Sequence, residues 1–466
     1  MKRDETQYIK MTQTPIPRLI SSLAVPTVIS MLVTAIYNTA DTYFVAMLND
    51  TSATGAVGVV FSLMALMQAT SFAIGLGSGS WISRLLGQKK YDEAGEVGST
   101  GLLMAFVFGS LLLLYGAFFD TAPLLRLIGA TETILPYADA YAGFILYGAP
   151  SMMCSFVLNN LLRSEGKAKY SMIGIAFGGV LNVFLDPVFI LPWGLGLEVA
   201  GAALATAVSQ TVSLVILLVP YLRGRTEVKL RLSYVSRSAA RYVMILKNGI
   251  PSFARQGLSS ISSILLNKGA AIAAGVFADQ AIAAMSIVTK VTMMVFSIVI
   301  GIGQGYQPVL GYNYGAKRFD RAREAMFFMI KACTIVIAAF SALCFFAAPQ
   351  IIGVFGSAKS DPDVLRFGVF AFRAQCVSLP LVPLGVAANM TFQSTGQAGR
   401  ATFLSSCRQG VFLVPLLLVL PRAAGISGVM LSQPIADVLT FIVCIPFVRK
   451  FAAELRAAEQ TQQNEE

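Results

Sequence analysis

Histidine is absent from this chain of 466 residues, and that single gap removes several kinds of chemistry. Zinc proteases of the HExxH type, histidine-dependent membrane acyltransferases and histidine proton relays all need an imidazole. Cysteine offers no substitute. The six present (Cys154, Cys333, Cys344, Cys376, Cys407, Cys444) are scattered through apolar segments without a CxxC pair, so they read as small core residues and not as disulfides or metal ligands. Charge is scarce as well: 13% of the residues are charged, against about 25% in soluble domains. Hydrophobic residues make up 56% and mean hydropathy is +0.69. This is the composition of an all-α integral membrane protein, because a helix satisfies every backbone N–H locally where no water can do so. It leaves no room for a large soluble domain.

About twelve apolar runs have the length needed to cross a hydrocarbon core of about 30 Å. They lie near 18–48, 55–85, 96–119, 134–162, 170–192, 199–222, 243–275, 281–310, 322–347, 364–392, 401–420 and 425–448. The first 17 residues are polar and lack a short apolar core with a small-residue cleavage site, so no removable signal is expected. Lys2, Arg3, Lys10 and Arg18 precede the first run, and basic residues return after every even one, as in Lys89 and Lys90, Lys167 and Lys169, or Arg223 and Arg225. Loops after odd runs, such as "NDTSAT" and "PWGLGLE", carry almost none. The net charge of +11 therefore follows the positive-inside pattern, which places both termini in the cytoplasm and argues against a nucleic-acid partner.

The chain repeats itself. "GQKKYDEA" (87–94) corresponds to "GAKRFDRA" (315–322), and "IGLG" (74–77) to "IGQG" (302–305). Pro150, Asn159, Ser164, Gly166 and Ala168 match Pro380, Asn389, Ser394, Gly396 and Ala398; Pro26 with Pro251 and "GAAL" with "GVML" are weaker pairs. The offset stays near 225 to 230 residues. The expected layout is a cytoplasmic segment (1–17), a first lobe of six spans (18–222), a basic linker (223–242), a second lobe (243–449) and a cytoplasmic tail (450–466). An even number of spans per half makes the repeat parallel, with a pseudo-two-fold axis along the membrane normal, an architecture for alternating access. The glycine-rich runs at 73–80 and 301–308 lack GxxxxGK[ST] spacing and read as close helix packing.

An acid inside an apolar run costs about 2.5 to 3.5 kcal/mol on insertion scales and so points to function. Run one carries Asp41 with Tyr37 and Asn38 one turn before it, and Pro26 can kink it. Run five places Asn182 and Asp186 at i, i+4, with Pro187 weakening the backbone ladder beside the acid. Run six carries Thr206. Asp41, Asp186 and Thr206 fall in the outer half, so with Asn182 two carboxylates, an amide and a hydroxyl could meet in one pocket and hold a hard cation such as Na⁺ or share a proton. The bland alternative is separate pairing of each acid with a basic residue. Runs seven, eight and ten hold Lys268, Lys290 and Arg373 but no deep acid. These bases either snorkel or form a basic wall facing the acidic pocket.

Taken together, "YNTAD", "LNVFLDP", "GAALAT" and the paired loops resemble the multidrug and toxic compound extrusion (MATE) transporters over nearly the whole chain. The resemblance implies a two-lobed antiporter that exports amphipathic, mainly cationic compounds against an inward H⁺ or Na⁺ gradient. It implies a coupling-ion site at Asp41, Asn182, Asp186 and Thr206, with Asn159 as a supporting residue and Pro26 and Pro187 as hinges. It further implies a monomer in the plasma membrane of a prokaryote, with no cofactor beyond the coupling ion. The chain departs from relatives that use second-lobe acids in spans seven, eight and ten. A lipid or oligosaccharide flippase of the same fold is the competing reading; a membrane enzyme is not expected, since no nucleophile, base or metal set is found.

Overall fold

The computed structural model describes residues 3–48, 50–274, 277–355 and 361–465. Among the described residues the chain is helical almost throughout and has no strand. Ten of these helices are long and apolar enough to cross a bilayer. Two observations raise the count to twelve. Ala239–Ala274 is a further helix of spanning length, carrying Arg241, Lys247, Arg255 and Lys268. The last candidate, Ala398–Asn464, holds two spans fused across a break at Ala424 and Gly425, the latter at φ +56°.

Spans 1 to 6 are Ile16–Ala46, Thr51–Gly87, Tyr91–Phe118, Leu135–Ser164, Ala168–Ile190 and Glu198–Leu222; spans 7 to 9 are Ala239–Ala274, Ala278–Gly315 and Phe319–Phe346. Span 10 joins Pro362–Ser378 to Val382–Ser394 through a 3-10 turn at Leu379–Leu381. Span 11 begins as Ala398–Ser406, passes through a π-helical stretch at Cys407–Leu413 and ends at the Ala424–Gly425 break; span 12 follows. Most ends fall within a few residues of the expected ones. The predicted end of run seven at 275 lies outside the described residues. Span 12 does not stop with its apolar run but stays helical through the expected tail to Glu465. The reason is local: "FAAELRAAEQ" consists mainly of good helix formers, and Glu454 and Glu459 pair with Arg400 and Arg323 at 3.2 Å each. The N-terminal segment likewise contains a short helix, Arg3–Gln13.

The repeat is visible atom by atom. Lys89 and Lys317 hold the same place in the two copies of the loop and both adopt left-handed backbone, φ +60° and +56°. Gly166 and Gly396 do so as well, at +76° and +80°. The lobes meet through reciprocal contacts. A side chain at Gly87 would strike the carbonyl of Tyr312, and one at Gly315 the carbonyl of Arg84, the same contact shifted by 228 residues. Gly305 faces Ala24 in span 1 as Gly77 faces Ile245 and Gly249 in span 7. Thr27 Oγ1 donates to the carbonyl of Gly301 at 2.8 Å across the same seam. All these residues lie in the half of the molecule nearest the termini, where the lobes are pressed together.

Candidate functional site

Span 5 carries adjacent glycines on two faces. A Cβ at Gly178 would meet Ser213 of span 6 at 2.9 Å, and one at Gly179 would meet Val33 and Tyr37 of span 1 at 2.7 and 3.0 Å. Without those side chains, spans 1 and 6 come close enough to span 5 for their polar residues to meet. One turn further on, Asn182 Nδ2 donates to Asp186 Oδ1 at 3.2 Å and to Thr206 Oγ1 at 3.4 Å. Asp186, Asn182 and Thr206 are all buried. Pro187 has no N–H, so the carbonyl of Val183 loses its helical donor beside the acid.

Asp41 approaches from span 1. Its Oδ2 accepts a hydrogen bond from Tyr141 of span 4 at 3.3 Å, and its carboxyl lies within electrostatic reach of Asp186. Tyr37 packs beside Asp41 and Gln210, while Asn38 is half-buried one turn before the acid. Several oxygens here are buried without a hydrogen-bond partner: Asp41 Oδ1, Asp186 Oδ2, Asn182 Oδ1 and, on span 6, Gln210 Oε1. Each such atom costs about 1 to 3 kcal/mol if left bare. No ion pair among the described residues includes Asp41 or Asp186, so the separate-pairing alternative has no support in the geometry. No group of three acids, cysteines or histidines suited to a resident metal occurs among the described residues. What remains is a pocket of oxygen acceptors short of positive charge.

A family model described as MatE matches residues 26–188 and, a second time, residues 251–419. The chain belongs to the MatE family. The two matches restate the internal repeat. Multidrug export protein MepA of Staphylococcus saprophyticus is 30% identical over 427 residues, 91% of this chain and 92% of that protein. MepA of Staphylococcus aureus strain MSSA476 is 25% identical over 448 residues, 96% of each chain. A crystal structure of MATE in complex with MaL6 superposes with a TM-score of 0.90 at 27% identity, covering 97% of this chain and 99% of that one. An outward-facing multidrug resistance MATE family transporter of the MOP superfamily gives 0.89 at 27% identity, covering 96% and 98%.

In this MATE chain, among the described residues, no hydrogen bond or ion pair links the other predicted residues to the acidic pocket. Asn159 is buried in the termini-side half, where its Oδ1 accepts from Arg163 Nε at 2.7 Å and from Ser171, and Arg163 in turn donates to Gln304 of span 8 across the seam. Pro26 lies at the same seam, next to Thr27. Lys268 and Lys290 are exposed. Arg373 Nε donates to the carbonyl of Phe345 in span 9 at 3.2 Å. Sequence reasoning passed over Tyr141 and Gln210, whose residue types carry no alarm in a helix. It also passed over Asp437 of span 12. That acid is buried and accepts from Arg408 (2.7 Å), Gln433 (3.0 Å), Gln375 (2.7 Å) and Ser378 (3.0 Å). An acid in the apolar run "SQPIADVL" was the available signal.

Proposed function

We propose that the chain is an efflux antiporter that exports amphipathic, mainly cationic compounds in exchange for H⁺ or Na⁺, working as a monomer in a prokaryotic plasma membrane with both termini in the cytoplasm. The carrying observation is the set of buried, unpartnered oxygens of Asp41, Asn182 and Asp186 with no basic side chain among them. Such a pocket needs a proton or a cation to cover its oxygens, and only one occupant can do so at a time. With the acids ionised, the pocket attracts a cationic compound. Entry of the coupling ion neutralises it and releases that compound, and this mutual exclusion is the coupling. The MepA relatives, described as multidrug export proteins, support the substrate class.

The contacts along spans 1, 2, 7 and 8 close the termini side, which in the proposed orientation is the cytoplasmic side. Pro26 and Asp41 lie in opposite halves of span 1, about 22 Å apart along its axis. A bend at Pro26 would therefore swing the half of the helix that carries the acid.

The first test is reconstitution in liposomes, following a fluorescent cationic dye under an imposed pH gradient or an imposed Na⁺ gradient. Wild-type protein is expected to respond to one of the two, and a folded Asp41→Asn variant to neither. If wild type ignores both gradients, the antiport reading fails and lipid-linked substrates, the flippase alternative, become the next assay.

A further inference from the structure

Far from the acidic pocket, on the face opposite the termini, spans 9, 10 and 12 enclose an open groove of about 600 Å³. Its floor and walls are apolar, including Phe345, Phe370, Val377 and Leu431, and among the described residues its charged side chains are Arg366 and Arg373. On span 10 these fall at i (Arg366), i+4 (Phe370), i+7 (Arg373) and i+11 (Val377), one continuous stripe about 16 Å long. Phe370 and Val377 are 48% and 69% exposed, although the helix lies within the membrane-spanning body. The opposite face of the same helix, with Gln375 and Ser378, turns inward to Asp437. The stripe therefore faces outward from the lobe.

The charges are placed at graded depth. Arg366 is exposed, one turn below the start of span 10. Arg373, two turns deeper, is fixed by its bond to the Phe345 carbonyl and by that ring 5.3 Å from its guanidinium carbon. Among the described residues neither arginine is in an ion pair. The nearby acids, Asp361 and Asp363, cap the first turn, where Asp361 accepts the N–H of Asp363 at 2.9 Å. A positive mouth above an apolar trough, at the end of the bundle where span 10 begins, matches an amphiphile with an anionic head.

We propose that this groove binds an anionic glycerophospholipid of the outer leaflet, its phosphate on Arg366 and Arg373 and one acyl chain running over Phe370 and Val377 against Leu431. The leaflet follows from the orientation proposed above; the groove and its charge do not depend on the transported substrate.

The test is thermal unfolding of the full-length protein in detergent, titrated with short-chain phosphatidylglycerol, with phosphatidylcholine of the same chains, and with glycerol 3-phosphate. Phosphatidylglycerol is expected to raise the unfolding temperature saturably, half-saturating at a concentration at least tenfold below that of phosphatidylcholine, with glycerol 3-phosphate inactive. R366Q/R373Q should lose that preference and Arg223→Gln, on the opposite face, should keep it. Val377→Trp fills the trough while leaving both arginines, and should also abolish the response, which guards against misfolding of the double variant. Equal responses to the two lipids, an equal response to glycerol 3-phosphate, or a preference that survives both R366Q/R373Q and V377W would each overturn the proposal.

Discussion

Tyr141 donates its hydroxyl to Asp41 Oδ2 at 3.3 Å, and removing it takes that bond from a buried carboxylate whose Oδ1 already has no partner among the described residues. Tyr141→Phe is expected to keep the fold and to weaken ion-driven dye export by roughly tenfold, the size of about 1.4 kcal/mol, measured as the initial rate under the effective gradient. Asp437 behaves differently because its acceptors are filled and Arg408 neutralises it. Asp437→Ala strands a cation in the lobe interior and should cost about 3 to 5 kcal/mol of stability, with partial recovery in the double variant that also replaces Arg408 by Met. Thermal unfolding of the purified variants reads both. Asp41, Asn182, Asp186 and Thr206 were legible in the sequence because polar groups stand out in runs that have to be apolar. The direction of Arg373 was not. A helix that is apolar on every side gives no phase by which to tell cleft from lipid, and only packing shows that Arg373 turns toward span 9.

Most of the twelve helices were legible from length and hydropathy, and the repeat supplied the rest. Their irregularities were less so: the π-helical stretch at Cys407–Leu413 follows no single residue type, whereas the break at Gly425 has one. The glycines at 87 and 315 showed in the sequence as halves of a repeated motif, but not as the two ends of one contact. Placing Leu at both is expected to keep the lobes from closing on the termini side, because each side chain would collide with backbone that cannot rotate away. Spin labels at Lys90 and Arg318, in a background without the native cysteines, would report it as a longer mean distance than in the parent. An unchanged distance distribution would show that the seam tolerates the added bulk and is not the limiting contact.

At the scale of the whole molecule, the linker between the lobes is anchored and not slack. Glu165, at the end of span 4, accepts the linker N–H groups of Glu227 and Val228 at 2.8 and 3.1 Å and the hydroxyl of Tyr221 at 3.0 Å. Gln7 donates to its carbonyl at 2.9 Å, and Lys167 pairs with Glu227 at 3.1 Å. Burial, and then the neighbouring Glu227, hold the Glu165 carboxyl well above its usual range, and Glu227 is raised by burial against the pull of Lys167. The folded protein thus keeps a proton here that the unfolded chain releases. The stability this proton brings is full below the ordinary carboxylate range near 4.5 and is lost as pH rises through the raised value. Unfolding temperature should fall between about pH 5 and pH 8, by about 2 to 4 °C for each kcal/mol lost, and Glu165→Gln should flatten that slope. The seam between the lobes has a further consequence. Its contacts come in pairs related by offsets of 225 to 228 residues, so a single self-complementary patch, used twice, joins the halves. A free six-span subunit bearing that patch would close on a second copy of itself as a two-fold dimer. Fusing two such genes would need no new interface, and would free one copy to keep the acids while the other gave up its own.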